Sequence, residues 1–425
     1  MKAVILAGGK GTRVASIAAD LPKPMLPLLG KPILAWQIEA LVREDFADIV
    51  LVIGHLGHVI RDYFGDGAAF GAHITYLEEQ EPLGTAGALA LLKNELANDD
   101  FLLLGGDLLF DVDLSRFLAY HKKKGGVVTV LTHPSTHSHD STALEVDGNA
   151  RVTAFLPPGG EKPRPNRTNA GLHFCSPHLF DRITEVKKTD LDREVLSPLA
   201  KEGGLFAYHS PEYVKDLGTP ERLAEGANDL ASGLVAKGNL KRPQRVVFLD
   251  RDGTVNRHVG FVTHPDQLEL LPRAAEAIKR LNDRHIPVII ITNQPVVARG
   301  EVSEAGLGEI HDRLGTLLAE SGAFVNDIFY CPHHPDGGFA GEVAALKRVC
   351  DCRKPAPGLL LQAAEKYHID LAASFMIGDA ARDVKAGKNA GCRTAAIGDV
   401  KGADLTGHDL FDCVTQILAN EDETI

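Results

Sequence analysis

The sequence predicts two α/β domains arranged one after the other. A chain of 425 residues is longer than one ordinary hydrophobic core supports. Segments of helical apolar spacing, such as 33–42, alternate with short apolar runs that read as buried parallel strands, at 2–6, 48–53, 101–104, 246–249 and 287–291. This alternation is typical of doubly wound sheets with helices on both faces.

The domain boundary is predicted where this alternation stops. Residues 233–244 contain glycine, proline and a cluster of basic residues, a composition typical of a linker. We therefore predict an N-terminal domain over 1–232 and a C-terminal domain over 245–425.

Composition restricts the class of protein and its partners. An apolar content of 44% and a charged content of 24% are those of a soluble globular protein. The net charge of −12 argues against nucleic-acid and anionic-membrane partners. No apolar run is long enough to span a membrane or to form a signal peptide. Six cysteines in a chain of this length do not form a disulfide framework, so we expect a reducing cytoplasm.

A glycine-rich loop directly follows the first predicted strand. Gly8, Gly9 and Gly11 allow backbone N–H groups to approach phosphate oxygens. Arg13 and Lys23 would add two cations, and the prolines on both sides of Lys23 restrict its backbone. The loop therefore predicts a triphosphate clamp, with a solvated basic surface loop as the alternative.

Two acids further along the first half are candidate Mg²⁺ ligands. Asp107 ends the predicted strand at 101–104, beside the expected phosphate loop. Asp216 lies in the run Asp-Leu-Gly-Thr-Pro-Glu, where a helix-capping loop is the alternative interpretation.

The pattern GGxGTR…PKP, with GGD at 105–107 and DxGTPE at 216–221, resembles the sugar-1-phosphate nucleotidyltransferases. The resemblance implies that Arg13 and Lys23 hold phosphates and that Asp107 and Asp216 bind Mg²⁺. It implies nucleotide contacts from Gly8, Gly9, Gly11, Thr12, Gly84 and Asp107. Its EKP and NAG elements imply sugar-phosphate contacts from Glu161, Lys162, Asn169 and Gly171. The loop around Gly84 would pack on the base, although Thr85 equally suits a helix cap.

Two aspartates follow the strand at 246–249. Asp250 and Asp252 are two residues apart, so in an extended chain their side chains point the same way. Two buried like charges are unfavourable unless a cation lies between them. The pair predicts a Mg²⁺ site with an aspartyl nucleophile, and a turn with solvated acids is the alternative.

Later strand ends would complete this site. Thr292 follows the strand at 287–291, where its hydroxyl would bind a phosphoryl oxygen. Asp379 is predicted as the third Mg²⁺ ligand, with Asp383 supporting it from the next helical turn. Only a loop and one helix separate Asp252 from Thr292, which leaves no room there for a large cap domain.

A cysteine and histidine cluster lies between these motifs. Cys331, His333, Cys350 and Cys352 offer four nitrogen and sulfur ligands, which suits a closed tetrahedral zinc site. Free buried cysteines are the alternative. Lys354 follows at once, so a zinc-bound loop would hold it over the phosphoryl group.

The signature DxDGT resembles the haloacid dehalogenase superfamily, and FLDRDGT, TNQ, ARG, CPHHP, CDCRKP and GDxxxD together resemble its heptose 1,7-bisphosphate 7-phosphatase branch and the related histidinol-phosphate phosphatases. The resemblance implies a Rossmann-like fold with a zinc-binding loop. It implies Asp250 as nucleophile and Asp252 as general acid, with Thr292 and Lys354 on the phosphoryl group. Arg299 and Arg353 would bind the sugar phosphate, and Asp250, Asp252 and Asp379 would bind Mg²⁺.

Together the resemblances imply two successive enzymes of nucleotide-activated heptose synthesis. The expected substrates are heptose bisphosphate, heptose 1-phosphate and GTP, with D-glycero-α-D-manno-heptose as the sugar. Two alternatives stay open: a mannose-1-phosphate or related transferase fused to another phosphatase, and a chain in which one half is a non-catalytic regulatory module. A homo-oligomer also stays open.

Overall fold

The computed structural model describes residues 1–9, 20–135, 142–159 and 163–422. The chain divides into two compact units. The N-terminal unit comprises Met1–His133, Leu144–Leu156 and Asn169–Asn239, and the C-terminal unit comprises Pro134–Ala143, Pro157–Thr168 and Leu240–Ile425. Within the described ranges, no helix combines the length and apolar character needed to cross a membrane.

The N-terminal unit is built on a nine-stranded sheet, part of which has the strand order β10-β9-β11-β6-β1-β4-β5. Strand β11 also pairs with β8, which pairs with β12, and separate two-stranded ladders join β13 to β7 and β2 to β3. The strands are β1 Lys2–Leu6, β2 Pro27–Leu28, β3 Lys31–Pro32, β4 Asp48–Ile53, β5 His73–Glu78, β6 Phe101–Gly105, β7 Leu108–Asp111, β8 Val128–His133, β9 Ala143–Val146, β10 Val152–Leu156, β11 Thr168–Cys175, β12 Leu205–His209 and β13 Tyr213–Asp216.

Helices cover both faces of this sheet. They are α1 Ile33–Arg43, α2 Gly57–Phe64, α3 Lys93–Leu96, α4 Leu114–Lys124, α5 Ser197–Lys201, α6 Pro220–Ala231 and α7 Leu234–Lys237. Short 3₁₀ segments occur at Lys23–Met25, Ala68–Phe70, Gly87–Leu92 and Pro177–Asp181, and a π-helical turn occurs at Leu191–Leu196. Ile5 packs in the core on one side of the sheet and Val4 in the core on the other, as period-2 alternation requires.

The C-terminal unit is a six-stranded parallel sheet with the order β16-β15-β14-β17-β18-β19. Its strands are β14 Val247–Leu249, β15 Val288–Asn293, β16 Asp327–Cys331, β17 Phe375–Gly378, β18 Arg393–Ile397 and β19 Leu405–Gly407. Its helices are α8 Ala274–Asp283, α9 Glu304–Ala319, α10 Gly358–Tyr367, α11 Ala381–Ala390 and α12 Leu410–Asp422, and 3₁₀ turns occur at Pro265–Gln267 and Ala344–Leu346.

The predicted fold class is confirmed: both units are α/β, and the central strands lie within a few residues of their predicted positions. Strands β1 and β4 match the predicted ranges, and α1 extends one residue beyond the predicted 33–42. The segment 233–244 is more structured than a linker composition suggests, because it includes α7 and the buried Leu240. The boundaries 1–232 and 245–425 remain a proposal.

A buried histidine makes the stability of the N-terminal unit depend on pH. Burial on β11 lowers the pKa of His173 to about 4, although a backbone hydrogen bond at Leu103 favours the charged form. The unfolded chain binds this proton below about pH 6.5, so acid favours unfolding. We expect the free energy of unfolding of this unit to fall by about 2 kcal/mol between pH 7 and pH 5 on account of this residue.

Denaturant titrations at the two pH values check this expectation. His173→Gln should remove most of that pH-dependent loss, whereas His178→Gln, at an exposed position, should retain it. Equal pH dependence in wild type and His173→Gln would contradict the assignment.

Candidate active sites

The predicted residues of the C-terminal unit meet at the carboxyl edge of its sheet. Strands β15, β14 and β17 are neighbours, and they carry Thr292, Asp250 and Asp379 at or just beyond their ends. Parallel pairing brings these residues, which span 129 positions of the sequence from Asp250 to Asp379, to one sheet edge.

The buried ammonium group of Lys354 connects these elements. Its Nζ lies 2.6 Å from Asp250 Oδ1 and 2.7 Å from Asp383 Oδ1, and it donates to the Ile291 carbonyl at 2.7 Å. Burial alone would lower the pKa of Lys354, but the carboxylates of Asp250 and Asp383 outweigh it and raise that pKa. Burial also raises the pKa of Asp250, against the opposing charge of Lys354.

Three carboxylates of this site could share a cation. One oxygen each from Asp250, Asp379 and Asp383 lies within 4.8 Å of the others. Among the described residues, Asp379 Oδ1 is buried without a hydrogen-bond partner. Burial raises the pKa of Asp379, and the charge of Asp250 adds to that effect. This oxygen-rich donor set fits Mg²⁺.

The contacts of the Asp252 side chain differ from the prediction that it binds Mg²⁺ together with Asp250. Strand β14 ends at Leu249, so neither aspartate belongs to the strand, and a Mg²⁺ contact from the Asp252 side chain stays a prediction. The Asp252 carboxylate instead accepts hydrogen bonds from Arg251, Gln294 and Asn256, the nearest at 2.8 Å. The group of three carboxylates that could share a cation contains Asp383 rather than Asp252.

Arg251 and Gln294 form a buried hydrogen-bond network. Both residues belong to the sequence motifs, but the motifs did not predict this network. Gln294 Nε2 donates to Asp252 Oδ2 at 2.8 Å and to Thr292 Oγ1 at 2.9 Å. Arg251 is fully buried and donates to Asp252 and to Gln294. Burial would raise the pKa of Asp252, but the Arg251 guanidinium and these hydrogen bonds hold it below its ordinary value. The only signal in the sequence was the presence of both residues inside matched motifs.

The four predicted cysteine and histidine ligands lie together. The sulfur atoms of Cys331, Cys350 and Cys352 are 3.2–3.5 Å apart, and His333 Nδ1 is 3.2 Å from Cys352 Sγ. A tetrahedral zinc with sulfur ligands has edges of about 3.8 Å, so the cluster is a slightly contracted tetrahedron. The group fits a closed metal site.

Arg299 is held between two aromatic rings. Its guanidinium lies 4.5 Å from the ring centroid of Phe261 and 4.3 Å from that of Phe339, and it pairs with Glu301 at 2.6 Å. Lys347 lies 4.8 Å from the same Phe339 ring. Arg353, by contrast, donates to the His333 carbonyl at 3.3 Å and is thereby engaged with the metal-binding loop.

The N-terminal unit brings its two predicted acids together through strand pairing. Asp216 pairs in register with Leu108 on β7, and the Leu217 N–H donates to the Asp107 carbonyl at 2.9 Å. Lys23 forms an ion pair with Asp107, and its Nζ is 3.4 Å from Asp216 Oδ1. Both carboxylates therefore face one cationic point, which fits a divalent ion held by Asp107 and Asp216.

The loop around Gly84 is fastened to a later segment of the same unit. Gly84 has φ +77°, and the Thr189 carbonyl occupies the space that a Cβ there would need. Thr85 does not cap the 3₁₀ segment Gly87–Leu92 that follows it. Its Oγ1 instead accepts from the Leu191 N–H, at the start of the π-helical turn, at 2.7 Å. That segment continues to Asp192, whose Oδ1 accepts from Asn169 Nδ2 at 3.3 Å.

Gly171, next to this asparagine, has φ +79°, and its N–H donates to Asn169 Oδ1 at 2.9 Å. Gly8 and Gly9 follow β1 at the same sheet edge. The remaining predicted contacts lie outside the described residues, namely Gly11, Thr12, Arg13, Glu161 and Lys162.

Comparison with known proteins supports this two-part organisation. Residues 2–233 match the nucleotidyl transferase family, and residues 196–391 match the haloacid dehalogenase-like hydrolases. The mannose-1-phosphate guanylyltransferase of Mycobacterium tuberculosis is 32% identical over 241 residues, covering 56% of this chain and 67% of that protein. The UTP–glucose-1-phosphate uridylyltransferase of Synechocystis is 33% identical over 217 residues, covering 48% of this chain and 56% of that protein.

The C-terminal half also resembles solved structures. The D,D-heptose 1,7-bisphosphate phosphatase from B. bronchiseptica is 35% identical, with a TM-score of 0.37, and the match covers 42% of this chain and 99% of that one. This chain spans about two thirds of the length of the M. tuberculosis relative and just over half of the length of the Synechocystis relative.

The fold and the two sites define a nucleotidyltransferase domain joined to a haloacid dehalogenase-like hydrolase domain. The chain belongs to the nucleotidyl transferase family, whose match covers more than half of it.

Gln294 provides a test of the hydrolase site. Gln294→Leu keeps a similar volume but removes the donor that Thr292 and Asp252 share. Thr292 then loses the amide that orients it, and Asp252 keeps only the hydrogen bonds from Arg251 and Asn256. Because small misplacements of reacting groups strongly slow catalysis, we expect kcat for phosphate release to fall by roughly tenfold to hundredfold with little change in KM.

The matched control is Gln362→Leu on the exposed face of α10, which should leave kcat unchanged. A wild-type kcat in Gln294→Leu would show that the network does not position these groups.

Proposed function

We propose that this chain performs two successive steps in making a nucleotide-activated heptose. The C-terminal unit removes the 7-phosphate of D-glycero-α-D-manno-heptose 1,7-bisphosphate. The N-terminal unit joins the resulting heptose 1-phosphate to GMP from GTP and releases pyrophosphate. The observation that carries the proposal is the presence in one chain of two separate phosphate-chemistry sites, one around Lys354 and one around Lys23. A sugar-bisphosphate phosphatase produces the kind of substrate that a sugar-1-phosphate transferase consumes.

The phosphatase step begins with attack of the Asp250 carboxylate on phosphorus. The bond from phosphorus to the sugar oxygen breaks as that oxygen takes a proton from Asp252, and Asp252 takes a proton back from the water that then cleaves the phosphoaspartate. Because Arg251 and the hydrogen bonds to Asp252 lower its pKa, only the fraction of the enzyme in which Asp252 carries a proton would begin the reaction. Lys354 and Thr292 neutralise the charge that develops on the phosphoryl oxygens. Asp250, Asp379 and Asp383 would hold Mg²⁺, which supplies further charge neutralisation when bound.

Arg299 and Lys347 support a bisphosphate substrate. Both lie within 5 Å of the centre of the Phe339 ring, at 4.3 and 4.8 Å, and Arg299 is five residues beyond Gln294 on the loop that leaves the catalytic edge. Among the described residues, the buried Arg299 Nε has no hydrogen-bond partner, so it has a donor to offer to a second phosphate. Arg353 is a weaker candidate because the His333 carbonyl already accepts from it.

In the transferase step an oxygen of the sugar phosphate attacks the α-phosphorus of GTP in line with the departing pyrophosphate. The protein's part is positioning and electrostatics. Lys23 and Arg13 would hold phosphate oxygens, and Asp107 and Asp216 would hold Mg²⁺, which would neutralise phosphate charge.

The choice of the α anomer follows from the guanylyltransferase relatives, which are named for mannose 1-phosphate. A D-manno heptose has the ring stereochemistry of mannose and one more carbon at the exocyclic end. A mannose pocket with an open far end would accept that carbon, whereas inversion at C1 would misdirect the attacking oxygen. Misplacement of about 1 Å can lower the rate roughly hundredfold.

The same relatives favour a second candidate function, a mannose-1-phosphate guanylyltransferase fused to a phosphatase of another substrate, such as histidinol phosphate. A non-catalytic regulatory half is disfavoured, because each unit retains its carboxylates together with the lysine that faces them.

A product assay distinguishes these proposals. The chain is incubated with GTP, Mg²⁺ and either anomer of the heptose bisphosphate, and we expect GDP-heptose from the α anomer with a clearly higher kcat/KM for phosphate release. Asp250→Asn should stop release of the 7-phosphate and spare transfer to supplied heptose 1-phosphate, and Asp107→Asn should have the reverse effect. A preference for the β anomer would contradict the heptose assignment, and GDP-mannose as the far better product would establish the second candidate.

We also propose that the Cys331, His333, Cys350 and Cys352 group binds structural zinc. The loop then places Lys354, two residues beyond Cys352, against Asp250. We expect Cys352→Ser to lower the zinc content and to reduce phosphatase activity while leaving nucleotidyl transfer unchanged. Metal analysis of the purified protein and both activities are the measurements, with Cys392→Ser as a buried cysteine control in the same unit. Full phosphatase activity in protein free of zinc would refute the proposal.

A further inference from the structure

Gln37 is a buried polar residue on a helix face that is otherwise apolar, and no motif gives it a role. It lies on α1 between buried residues such as Ile33 and Ile38, and only 1% of its surface is exposed. Its Nε2 donates to the Gly105 carbonyl at 2.8 Å. Gly105 is the last residue of β6 and stands two positions before Asp107. Gln37 therefore connects α1 to the strand end that carries a predicted metal ligand.

The peptide unit between Gly105 and Gly106 is held at both of its ends. Its carbonyl accepts from Gln37, and its N–H donates to the Leu6 carbonyl at the end of β1 at 2.9 Å. The C=O and N–H of one trans peptide point in opposite directions, so the two hydrogen bonds together fix the orientation of its plane. Two successive glycines would otherwise allow the chain many orientations here.

The orientation of this peptide decides where the Asp107 carboxylate lies. Asp107 Oδ1 is 3.0 Å from the point that a Cβ on Gly105 would occupy, so the carboxylate is folded back over the glycine backbone. A Cβ on Gly106 would lie 3.0 Å from the Leu6 carbonyl oxygen, so the backbone of β1 is equally close on that side. Rotation of the peptide would therefore displace the Asp107 carboxylate relative to Asp216, with which it would share a metal ion.

The hydrogen bond from Gln37 accounts for the amide better than packing does. Only the NH₂ group of the amide can donate to the Gly105 carbonyl, which fixes the amide orientation. In the described part of the chain, the other amide atom, Gln37 Oε1, is buried without a hydrogen-bond partner. Burial of such an atom is unfavourable, and an apolar side chain of the same length would fill the space without that cost.

We propose that Gln37 is a positioning residue for the metal site of the transferase. By holding the peptide between Gly105 and Gly106, it directs the Asp107 carboxylate towards the cation that Asp216 would share. The inference deepens the proposed function: it rests on nucleotidyl transfer by this unit and is independent of the identity of the sugar and the base.

Gln37→Met tests the role of the donor, because methionine has a similar length and no N–H group. The variant loses the unpartnered Oε1 but deprives the Gly105 carbonyl of a donor, so we expect little change in overall stability. We expect the Mg²⁺ concentration at half-maximal rate to rise by roughly tenfold to hundredfold. The KM for the sugar phosphate should change little. The measurement is the initial rate of nucleotidyl transfer over a range of Mg²⁺ concentrations, with the sugar 1-phosphate that the wild type uses best.

Gln37→Glu separates the hydrogen bond from the shape of the side chain. An ionised carboxylate has no donor for the Gly105 carbonyl, whereas a protonated carboxyl group offers its O–H, and burial favours the protonated form. We expect the rate of this variant relative to the wild type to rise several-fold between about pH 8 and pH 6, and the relative rate of Gln37→Met to stay constant. Asp107 and Lys23 are present in all three proteins, so division by the wild-type rate removes their contribution. A residue that only fills space would give the same relative rate at every pH.

Amide hydrogen exchange of the metal-free, full-length chain provides a measurement that does not depend on catalysis. The Gly106 N–H is protected by its hydrogen bond to Leu6, and loss of the Gln37 donor frees the other end of the same peptide. We expect exchange over residues 105–107 to be several-fold faster in Gln37→Met, because exchange reports local opening. Exchange over β4 and α4 should remain as in the wild type.

The matched control is Glu39→Gln, two residues further along α1. Glu39 is half-buried and pairs with Lys31, so its change should leave the Mg²⁺ dependence and the exchange over 105–107 as in the wild type. A wild-type Mg²⁺ dependence in Gln37→Met, or pH profiles of Gln37→Met and Gln37→Glu that run in parallel, would overturn the inference. If the wild type transfers nucleotide to no sugar phosphate, the proposed function fails, and the exchange over 105–107 decides the inference by itself.

Discussion

The C-terminal unit depends on one buried ammonium group placed between two carboxylates. Lys354 lies on the loop after the cysteine cluster, Asp250 at the end of β14 and Asp383 on α11, so three separate elements must dock before the charges balance. A buried ion pair contributes little net stability over an apolar replacement, but removal of one partner leaves an uncompensated charge that destabilises by about 3–5 kcal/mol. The interaction therefore specifies this arrangement of elements more than it strengthens the fold.

The N-terminal unit uses the same arrangement with less burial. Lys23 faces Asp107 and Asp216, which the pairing of β7 with β13 brings together. The side chain of Asp216 is 42% exposed, so water screens its attraction to Lys23 and the pair adds little to stability. Because this ion pair is weak and accessible, a metal ion could replace Lys23 beside the aspartates, or Lys23 could turn towards a phosphate, at a small cost in free energy. The same change at a buried ion pair would cost more.

The sequence predicted the positions of strands, which depend on local apolar pattern. It did not predict side-chain contacts between separate segments. Buried apolar runs located β1, β4 and β15 within a residue or so, because parallel strands covered on both faces are continuously apolar. The motifs contained Arg251 and Gln294, and Asn256 follows two residues after one of them, but nothing in the local pattern predicted that all three donate to the Asp252 carboxylate.

Charge balance explains why local geometry must select these substrates. The chain carries a net charge of −12, yet both proposed reactions use polyanionic sugar phosphates. The cations at the sites are already paired: Lys23 and Lys354 with two aspartates each, Arg299 with Glu301, and Lys347 with Glu342. Such clusters offer directed donors but little net positive charge, so a phosphate gains less from them than from a free lysine.

The missing positive charge would have to arrive with the substrate as a divalent cation. Each unit presents its carboxylates where strand ends converge, so a bound divalent ion would add affinity for phosphate at each site. In the described part of the C-terminal unit, Asp379 Oδ1 is a buried carboxylate oxygen without a hydrogen-bond partner, and a cation bound there would offset the cost of its burial. In the proposed reactions, the charges of the protein carboxylates, the metal and the phosphate would therefore offset one another.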